Sequence, residues 1–93
     1  MIVGTMTVQI HLSGITSLKE KRSIVKSVVS RLASRFNASV AEVAHHDSKQ
    51  SAVIGIAVVS TETRHVHQQL DKILEFMNGD GRFYIGETER ETF

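Results

Sequence analysis

The first residues of the chain alternate between apolar and mostly polar side chains, and the alternation continues over residues 2–12. One side of the pattern carries Ile2, Met6, Val8, Ile10 and Leu12, and the other carries Val3, Thr5, Thr7, Gln9 and His11. Successive side chains of a β-strand point to opposite faces. The segment is therefore predicted to be a long strand with one buried face, followed by a turn at Ser13–Thr16.

The hydrophobic period then changes to that of a helix. Its apolar stripe comprises Leu18, Val25, Val28, Val29, Leu32 and Phe36. Ser17 precedes the stripe and Glu20 follows three residues later, which is the capping-box pattern of a helix start. Asn37 is a common residue type at a helix end. A first helix is therefore predicted between Ser17 and Phe36.

Two strands are predicted next. Residues 38–46 are rich in small and β-branched side chains and form the second strand, and a polar turn follows at residues 46–49. Residues 50–60 form the third strand, in which the segment Val53–Val59 is continuously apolar. Strands of this kind lie inside a sheet with both faces covered, so the third strand is expected to be central.

The last third of the chain predicts a helix and a strand. Ser60 or Thr61 is the expected cap of the second helix, with Glu62 close to its positive end. The apolar stripe of this helix is Val66, Leu70, Ile73 and Met77, and Asn78–Gly81 ends it. Residues 82–90 are predicted to form the fourth strand.

The resulting order β-α-β-β-α-β is that of the split βαβ topology. It predicts a single α+β domain over residues 1–93 with a ferredoxin-like fold, in which a four-stranded antiparallel sheet in the order 4-1-3-2 carries two helices on one face.

Because the two helices cover only one face of the sheet, one of two sets of apolar side chains on the third strand must face away from them. The sets are Ile54, Ile56 and Val58, or Val53, Ala57 and Val59. An exposed apolar sheet face usually marks an interface, so a homo-oligomer or another sheet-mediated contact is expected.

Charge is distributed unevenly along the chain, although the formal net charge is only +1. Residues 17–36 contain six basic side chains and one acid, whereas residues 37–93 contain five basic side chains and nine acids. A helix start with basic side chains suits a phosphate, and several such contacts would give salt-dependent nucleic-acid binding. The candidate phosphate-binding residues are Lys19, Lys21, Arg22 and Lys26. RNA is the preferred partner, and an acidic protein bound by the same helix, as in a protein–protein adaptor, is the alternative.

Several classes of function lack their sequence signals. The chain has no cysteine, which excludes disulfides and thiolate chemistry, and it has no P-loop or nucleophile elbow. The central strands carry no aromatic residue, unlike those of an RNA-recognition motif. No apolar run approaches the roughly 20 residues of a membrane span, and the first residues lack the features of a signal peptide. A cytoplasmic, non-enzymatic protein without a cofactor is therefore expected.

Histidine and carboxylate side chains near the second turn form a candidate polar site. His45 and Asp47 would converge in an extended segment, whereas His45 and His46 point to opposite sides of a strand. Two ligands are fewer than a zinc site usually has, so no metal site is predicted. A small enzyme that uses His45 and Asp47 is a third alternative.

The last strand carries three alternating carboxylates, Glu87, Glu89 and Glu91. They are interpreted as a charged edge that opposes sheet-to-sheet aggregation.

Several segments together resemble the YlxP-like bacterial family, a domain of unknown function. They are Met1–Gly4, the box Ser17–Arg22, Arg35–Asn37, Val40–Val43 and Gly55–Ser60. The resemblance spans nearly the whole chain and implies a ferredoxin-like fold and a bacterial cytoplasmic protein. It also implies a connection with RNA or the ribosome, because genes of this family often lie near translation and ribosome-maturation genes. It implies no catalytic residue.

One segment departs from the family pattern. Residues 44–50 keep His45, Asp47 and Gln50, but His46 stands where the family usually has Gln, and Lys49 stands where it usually has Trp. A partner contact made through that Trp position would therefore not be expected in this chain.

Overall fold

The computed structural model describes residues 1–93 and arranges them as β1 (Ile2–Leu12), α1 (Leu18–Arg35), β2 (Ser39–Ala44), β3 (Ser51–Ser60), α2 (Thr63–Asn78) and β4 (Phe83–Thr92). The strands form a four-stranded antiparallel sheet in the order β2-β3-β1-β4. The order of elements and the central positions of β1 and β3 are those predicted from the sequence. The protein therefore has the α+β, ferredoxin-like arrangement.

Both helices pack on one face of the sheet, and the hydrophobic core lies between them and the strands. The buried strand residues are Met6, Val8, Ile10 and Leu12 from β1, and Ala52, Ile54, Ile56 and Val58 from β3. The helices contribute Val25, Val28 and Leu32 from α1, and Val66, Leu70, Ile73 and Met77 from α2. Burying an aliphatic side chain of this size stabilises a fold by about 1.5–3 kcal/mol, so this layer is the main source of stability.

The opposite face of the sheet has no helix against it, and we call it the open face. Val59 keeps 54% of its surface exposed, and Val53 and Ala57 are only partly buried. The set Val53, Ala57 and Val59 therefore faces away from the helices, and the alternative set on β3 packs against them. The expectation that β3 is covered on both faces is wrong for this chain on its own, because both helices lie on the same side.

The two helices begin in different ways. At α1, the Ser17 side chain accepts a hydrogen bond from the Glu20 amide at 3.1 Å, as the capping pattern predicts. The N-cap of α2 is Glu62, which makes no side-chain capping bond, so the predicted cap at Ser60 or Thr61 is wrong. Ser60 is still paired with β1, and the helix begins only after the chain has left that pairing.

Neither helix combines the length and apolar character that a membrane span requires.

A β-bulge in β4 determines which side chains this strand directs to each face. The register between β1 and β4 shifts between Val8 and Ile10, where two β4 residues, Gly86 and Glu87, oppose the single residue Gln9. A bulge of this kind bends the strand and changes the direction of its side chains. Gly86 leaves room here for the His11 ring, because an added Cβ would lie 2.6 Å from its nitrogen Nε2 and the ring would have to move.

The bulge leaves three carboxylates of β4 on the open face. Glu89 pairs with Thr7 and Glu91 pairs with Thr5, and both threonines alternate with the buried residues of β1 and so belong to the open face. Glu87 lines the same depression of this face as Glu89. As predicted, the three carboxylates share one face of the last strand.

Candidate nucleic-acid interface

Three exposed cations lie along the N-terminal half of α1, and we call them the basic flank. Lys19, Arg22 and Lys26 are all exposed, and none of them forms a salt bridge. Their spacing of three and four residues places them on one side of the helix, over about 10 Å at a rise of ~1.5 Å per residue. Their charge is therefore directed to solvent and is available to an anionic partner.

Lys21, predicted to belong to the same surface, lies in the protein interior instead. Its side chain is 0% exposed, and its Nζ donates to Glu42 Oε2 at 2.7 Å and to the carbonyl oxygens of His45 at 2.8 Å and His46 at 3.4 Å. All three ammonium hydrogens are thereby used within the protein. The prediction that Lys21 contacts phosphate is wrong, because a buried and fully paired ammonium group cannot reach an external anion.

The Lys21 ammonium group ties the start of α1 to the connection between β2 and β3. His45 in that connection has a φ of 64°, a left-handed conformation that is uncommon for residues other than glycine. The Glu42 carboxylate on β2 is 15% exposed in its pairing with Lys21. Removing one partner of such a buried pair is strongly destabilising, because the other charge is left uncompensated. One member of the lysine-rich segment therefore serves the fold rather than the surface.

The C-terminal end of α1 carries two arginines beside an aromatic ring of α2. The guanidinium carbons of Arg31 and Arg35 lie 5.3 Å and 4.9 Å from the centre of the Phe76 ring, within the range of a cation–π interaction. These two arginines and Phe76 line a cavity of about 460 Å³, and Lys72 of α2 lines it as well. Arg31 Nη1 is 3.6 Å from Asp80 Oδ2, whereas Arg35 and Lys72 form no salt bridge. Arg35 of α1 and Lys72 of α2 are therefore two further cations without a carboxylate partner, and they lie on the side of α1 that faces α2.

A bidentate ion pair fixes the turn that follows α2. Arg82 Nε donates to Asp80 Oδ1 at 2.6 Å, and Arg82 Nη2 donates to Asp80 Oδ2 at 2.7 Å. These hydrogen bonds lower the pKa of Asp80 and raise the pKa of Arg82, and in both cases they outweigh the opposing effect of burial. The pair is therefore ionised at neutral pH and holds the end of α2 against the start of β4.

The candidate polar site at His45 and Asp47 is not joined by any direct interaction. His45 Nδ1 lies 2.6 Å from Ser51 Oγ, and Asp47 is exposed without a hydrogen bond or salt bridge to His45. His46 Nε2 lies 3.1 Å from the carbonyl oxygen of Glu42. No group of three or more His, Cys, Asp or Glu side chains is arranged to hold a metal ion. The histidines are therefore oriented by the hairpin and not by a neighbouring acid.

The helical period contained a signal for the burial of Lys21. The buried residues of α1 are Lys21, Val25, Val28 and Leu32, spaced by four, three and four residues. The same spacing marks the buried stripe of α2. A lysine at a core position of this kind requires a buried partner, and Glu42 is the only carboxylate of β2. The position within the stripe, rather than the residue type, therefore predicts the role of this lysine.

Comparison with known proteins identifies a family but no activity. The model of a family described as "Protein of unknown function (DUF503)" matches residues 3–90. The uncharacterized protein YlxP of Bacillus subtilis (strain 168) is 36% identical over 62 residues, which is 67% of this chain and 67% of that protein. Because the family model covers nearly every strand and helix described above, the chain belongs to the DUF503 family of proteins of unknown function.

Proposed function

We propose that this protein is a non-enzymatic RNA-binding protein of the bacterial cytoplasm that contacts phosphates through its basic flank, with ribosomal RNA as the first RNA to test. The observation behind this function is that Lys19, Arg22 and Lys26 are exposed on one side of one helix and have no carboxylate partner. Exposed ion pairs add only about 0–1 kcal/mol each to stability, and these side chains form none. Folding does not use their charge, whereas phosphate binding would use all three.

Contacts to phosphates rather than to bases are the expected mode of binding. The three cations of the basic flank follow about 10 Å of α1, so they can contact neighbouring phosphates of one backbone. β1 and β3 carry no aromatic side chain, so the sheet offers no platform for the base stacking of an RNA-recognition motif. Phosphate contacts position a protein without reading sequence. We therefore expect a preference for RNA shape over RNA sequence.

The N-terminal half of α1 is expected to contribute most of the affinity. Lys19 lies in the first turn, where the helix dipole is positive and the unpaired backbone amides favour an anion. Arg35 lies at the opposite end, where the dipole is negative and opposes an anion. Arg35 also lies about 180° around α1 from Lys26 and contacts Phe76 of α2. The basic flank is therefore the part to substitute first.

Two matched double variants test this function. R22Q/K26Q removes two cations of the basic flank, and K49Q/R64Q removes one lysine and one arginine that are exposed elsewhere. Binding of a fluorescent ribosomal RNA fragment is measured by anisotropy at salt concentrations from about 50 to 200 mM. We expect R22Q/K26Q to bind about tenfold more weakly and to reduce the slope of log K against log salt by about 1.4–1.8, because each lost phosphate contact removes ~0.7–0.9.

The control variant distinguishes a defined surface from net charge. K49Q/R64Q is expected to stay within about twofold of the wild-type affinity, since those side chains lie outside the proposed surface. Equal losses in the two variants would show that only overall charge matters and would contradict the proposed site. Wild-type binding that does not change with salt would contradict phosphate recognition altogether.

A further inference from the structure

The open face of the sheet combines an apolar half with an acidic half. We propose that this face binds an amphipathic helix of a partner protein, whose apolar stripe is flanked by lysine or arginine. The open face is formed by alternating side chains of all four strands and does not include the basic flank. The two surfaces can therefore be tested independently, and loss of RNA binding would leave this second proposal intact.

The half of the open face formed by β2 and β3 is apolar and shallow. Val43 and Val59 are 51% and 54% exposed. The side chains beside Val43 are small, and together with Ala41, Gly55 and Ala57 it lines a depression of about 570 Å³. Val43 lies directly over Gly55, where an added Cβ would be 2.7 Å from its Cγ1 methyl group. Small residues therefore keep this part of the sheet accessible to the apolar side chains of a partner.

The half of the open face formed by β4 is acidic. Glu87, Glu89 and Glu91 are exposed, and none of them forms a salt bridge. Two of these carboxylates, Glu87 and Glu89, line a second depression of about 330 Å³, together with Gln9 and His45. This depression shares Thr7 with the apolar one. The two halves therefore form one continuous surface and not two isolated patches.

Charge complementarity selects a cationic partner over a second copy of the chain. A symmetric face-to-face dimer would place β4 against either the β4 or the β2 of the second copy. Neither strand presents a lysine or arginine on that face, because β2 contains none and Arg90 of β4 is held by Asp71 at 2.7 Å. Three carboxylates would then be buried without cations, at a cost of several kcal/mol for each ion. RNA is disfavoured on this face by the same negative charge.

A helix fits the dimensions of the open face. Neighbouring strands lie about 4.8 Å apart, so the axes of the outer strands are about 14 Å apart, and a helix with its side chains is about 10–12 Å wide. Alternate residues of a strand are about 6.7 Å apart, and residues four apart on a helix are about 6 Å apart. Cations at positions i and i+4 of a partner helix would therefore match two successive carboxylates of β4.

A synthetic helix provides the probe. It has 18 residues with leucine and alanine in one stripe and lysines at i and i+4 beside it, and a second version carries glutamate in place of each lysine. Binding is measured by calorimetry at about 100 mM salt, and the contact surface is mapped by amide chemical shifts. The triple variant E87Q/E89Q/E91Q is compared with E20Q/E62Q/E75Q, which removes three exposed carboxylates from the helices and their ends.

We expect the lysine peptide to shift amides of β2, β3 and β4, and the glutamate version not to bind. E87Q/E89Q/E91Q should weaken binding of the lysine peptide at least about tenfold. E20Q/E62Q/E75Q should stay within about twofold of the wild type, because only carboxylates that contact the lysines of the peptide contribute to the affinity. Shifts confined to the helices, equal losses in both variants, or equal binding of both peptides would overturn the proposal. A concentration-dependent dimer in ultracentrifugation that E87Q/E89Q/E91Q strengthens would assign the face to a second copy and would also overturn it.

Discussion

Lys19 and Lys21 lie two residues apart on α1, and only Lys19 meets water. Two residues correspond to about 200° around a helix, so the two side chains leave it on opposite sides. Burying an ammonium group costs several kcal/mol unless it is paired and hydrogen-bonded, and Glu42 with two carbonyl oxygens supplies that pairing for Lys21. The same residue type is thus a structural group at one position and a candidate ligand at the other.

Replacing Lys21 by methionine is expected to destabilise the protein strongly. K21M leaves the Glu42 carboxylate without its cation and should lower the free energy of unfolding by about 3–5 kcal/mol, measured by urea denaturation. K19M, a change of the same type on the exposed side, should change it by less than about 0.5 kcal/mol. The double variant K21M/E42L should recover much of the loss, because no charge remains buried. A loss below about 1 kcal/mol in K21M would contradict the buried pair.

The Asp80–Arg82 ion pair is expected to make stability depend on acid pH. The pKa of Asp80 is lowered in the folded protein by hydrogen bonds from Arg82, so its contribution is fully present above the ordinary value of 3.8. It is lost as the pH falls through the lower folded value. The difference in free energy of unfolding between wild type and D80N should therefore be constant above about pH 5 and shrink below about 3.8. Urea denaturation across this range measures it, and a constant difference would contradict the pairing.

At the scale of the elements, the contact between α2 and β1 depends on a glycine. A Cβ added at Gly4 would overlap the Cγ1 methyl group of Val66, and Val66 is fully buried. G4A should therefore cost about 1–3 kcal/mol and lower Tm by several degrees, since 1 kcal/mol corresponds to about 4–8 °C at this chain length. At Gly79 an added Cβ would meet the nearest atom, the Phe76 carbonyl oxygen, at 3.6 Å. G79A is the control, and equal shifts in Tm would refute the close packing at Gly4.

The buried residues of an element are predicted well where its hydrophobic period is uninterrupted. In β1 the buried residues follow the alternation of the sequence, and in α2 they follow the apolar stripe with spacings of four, three and four residues. The start of α2 was predicted less well, since several polar residues precede the stripe and local propensity does not distinguish among them. The pairing of Ser60 with β1 decides the boundary. That pairing is a tertiary contact, and it cannot be deduced from the residues around the helix start.

At the scale of the whole molecule, charge of opposite sign is separated onto two surfaces. The basic flank on α1 is cationic, and the β4 half of the open face is anionic, although the formal net charge is only +1. A surface of each sign allows two partners to bind at once, because neither covers the other. An RNA on the helix side and a basic helix on the sheet side would make this small domain a bridge between two components. Each interaction should weaken as salt rises, since both depend on exposed charge.

The sequence predicted the presence of a basic helix better than it predicted which cations are available. All four candidates were chosen for their charge, and Lys19, Arg22 and Lys26 are exposed whereas Lys21 is buried. Its burial depends on Glu42, a residue on another element whose position requires the folded sheet. The acidic half of the open face was visible as alternating glutamates, but its continuity with the apolar half follows from the order β2-β3-β1-β4. Local patterns therefore predict the elements, and the pairing of elements determines the surfaces.

Cross-linking in living bacteria tests RNA binding by the basic flank most directly. Wild-type protein, R22Q/K26Q and K49Q/R64Q are expressed at equal levels, cross-linked and purified under denaturing conditions, and the attached RNA is quantified and sequenced. We expect RNA to be recovered with the wild type and with K49Q/R64Q, and recovery to fall about tenfold with R22Q/K26Q. Equal recovery from all three proteins, or no RNA above background with the wild type, would contradict this function.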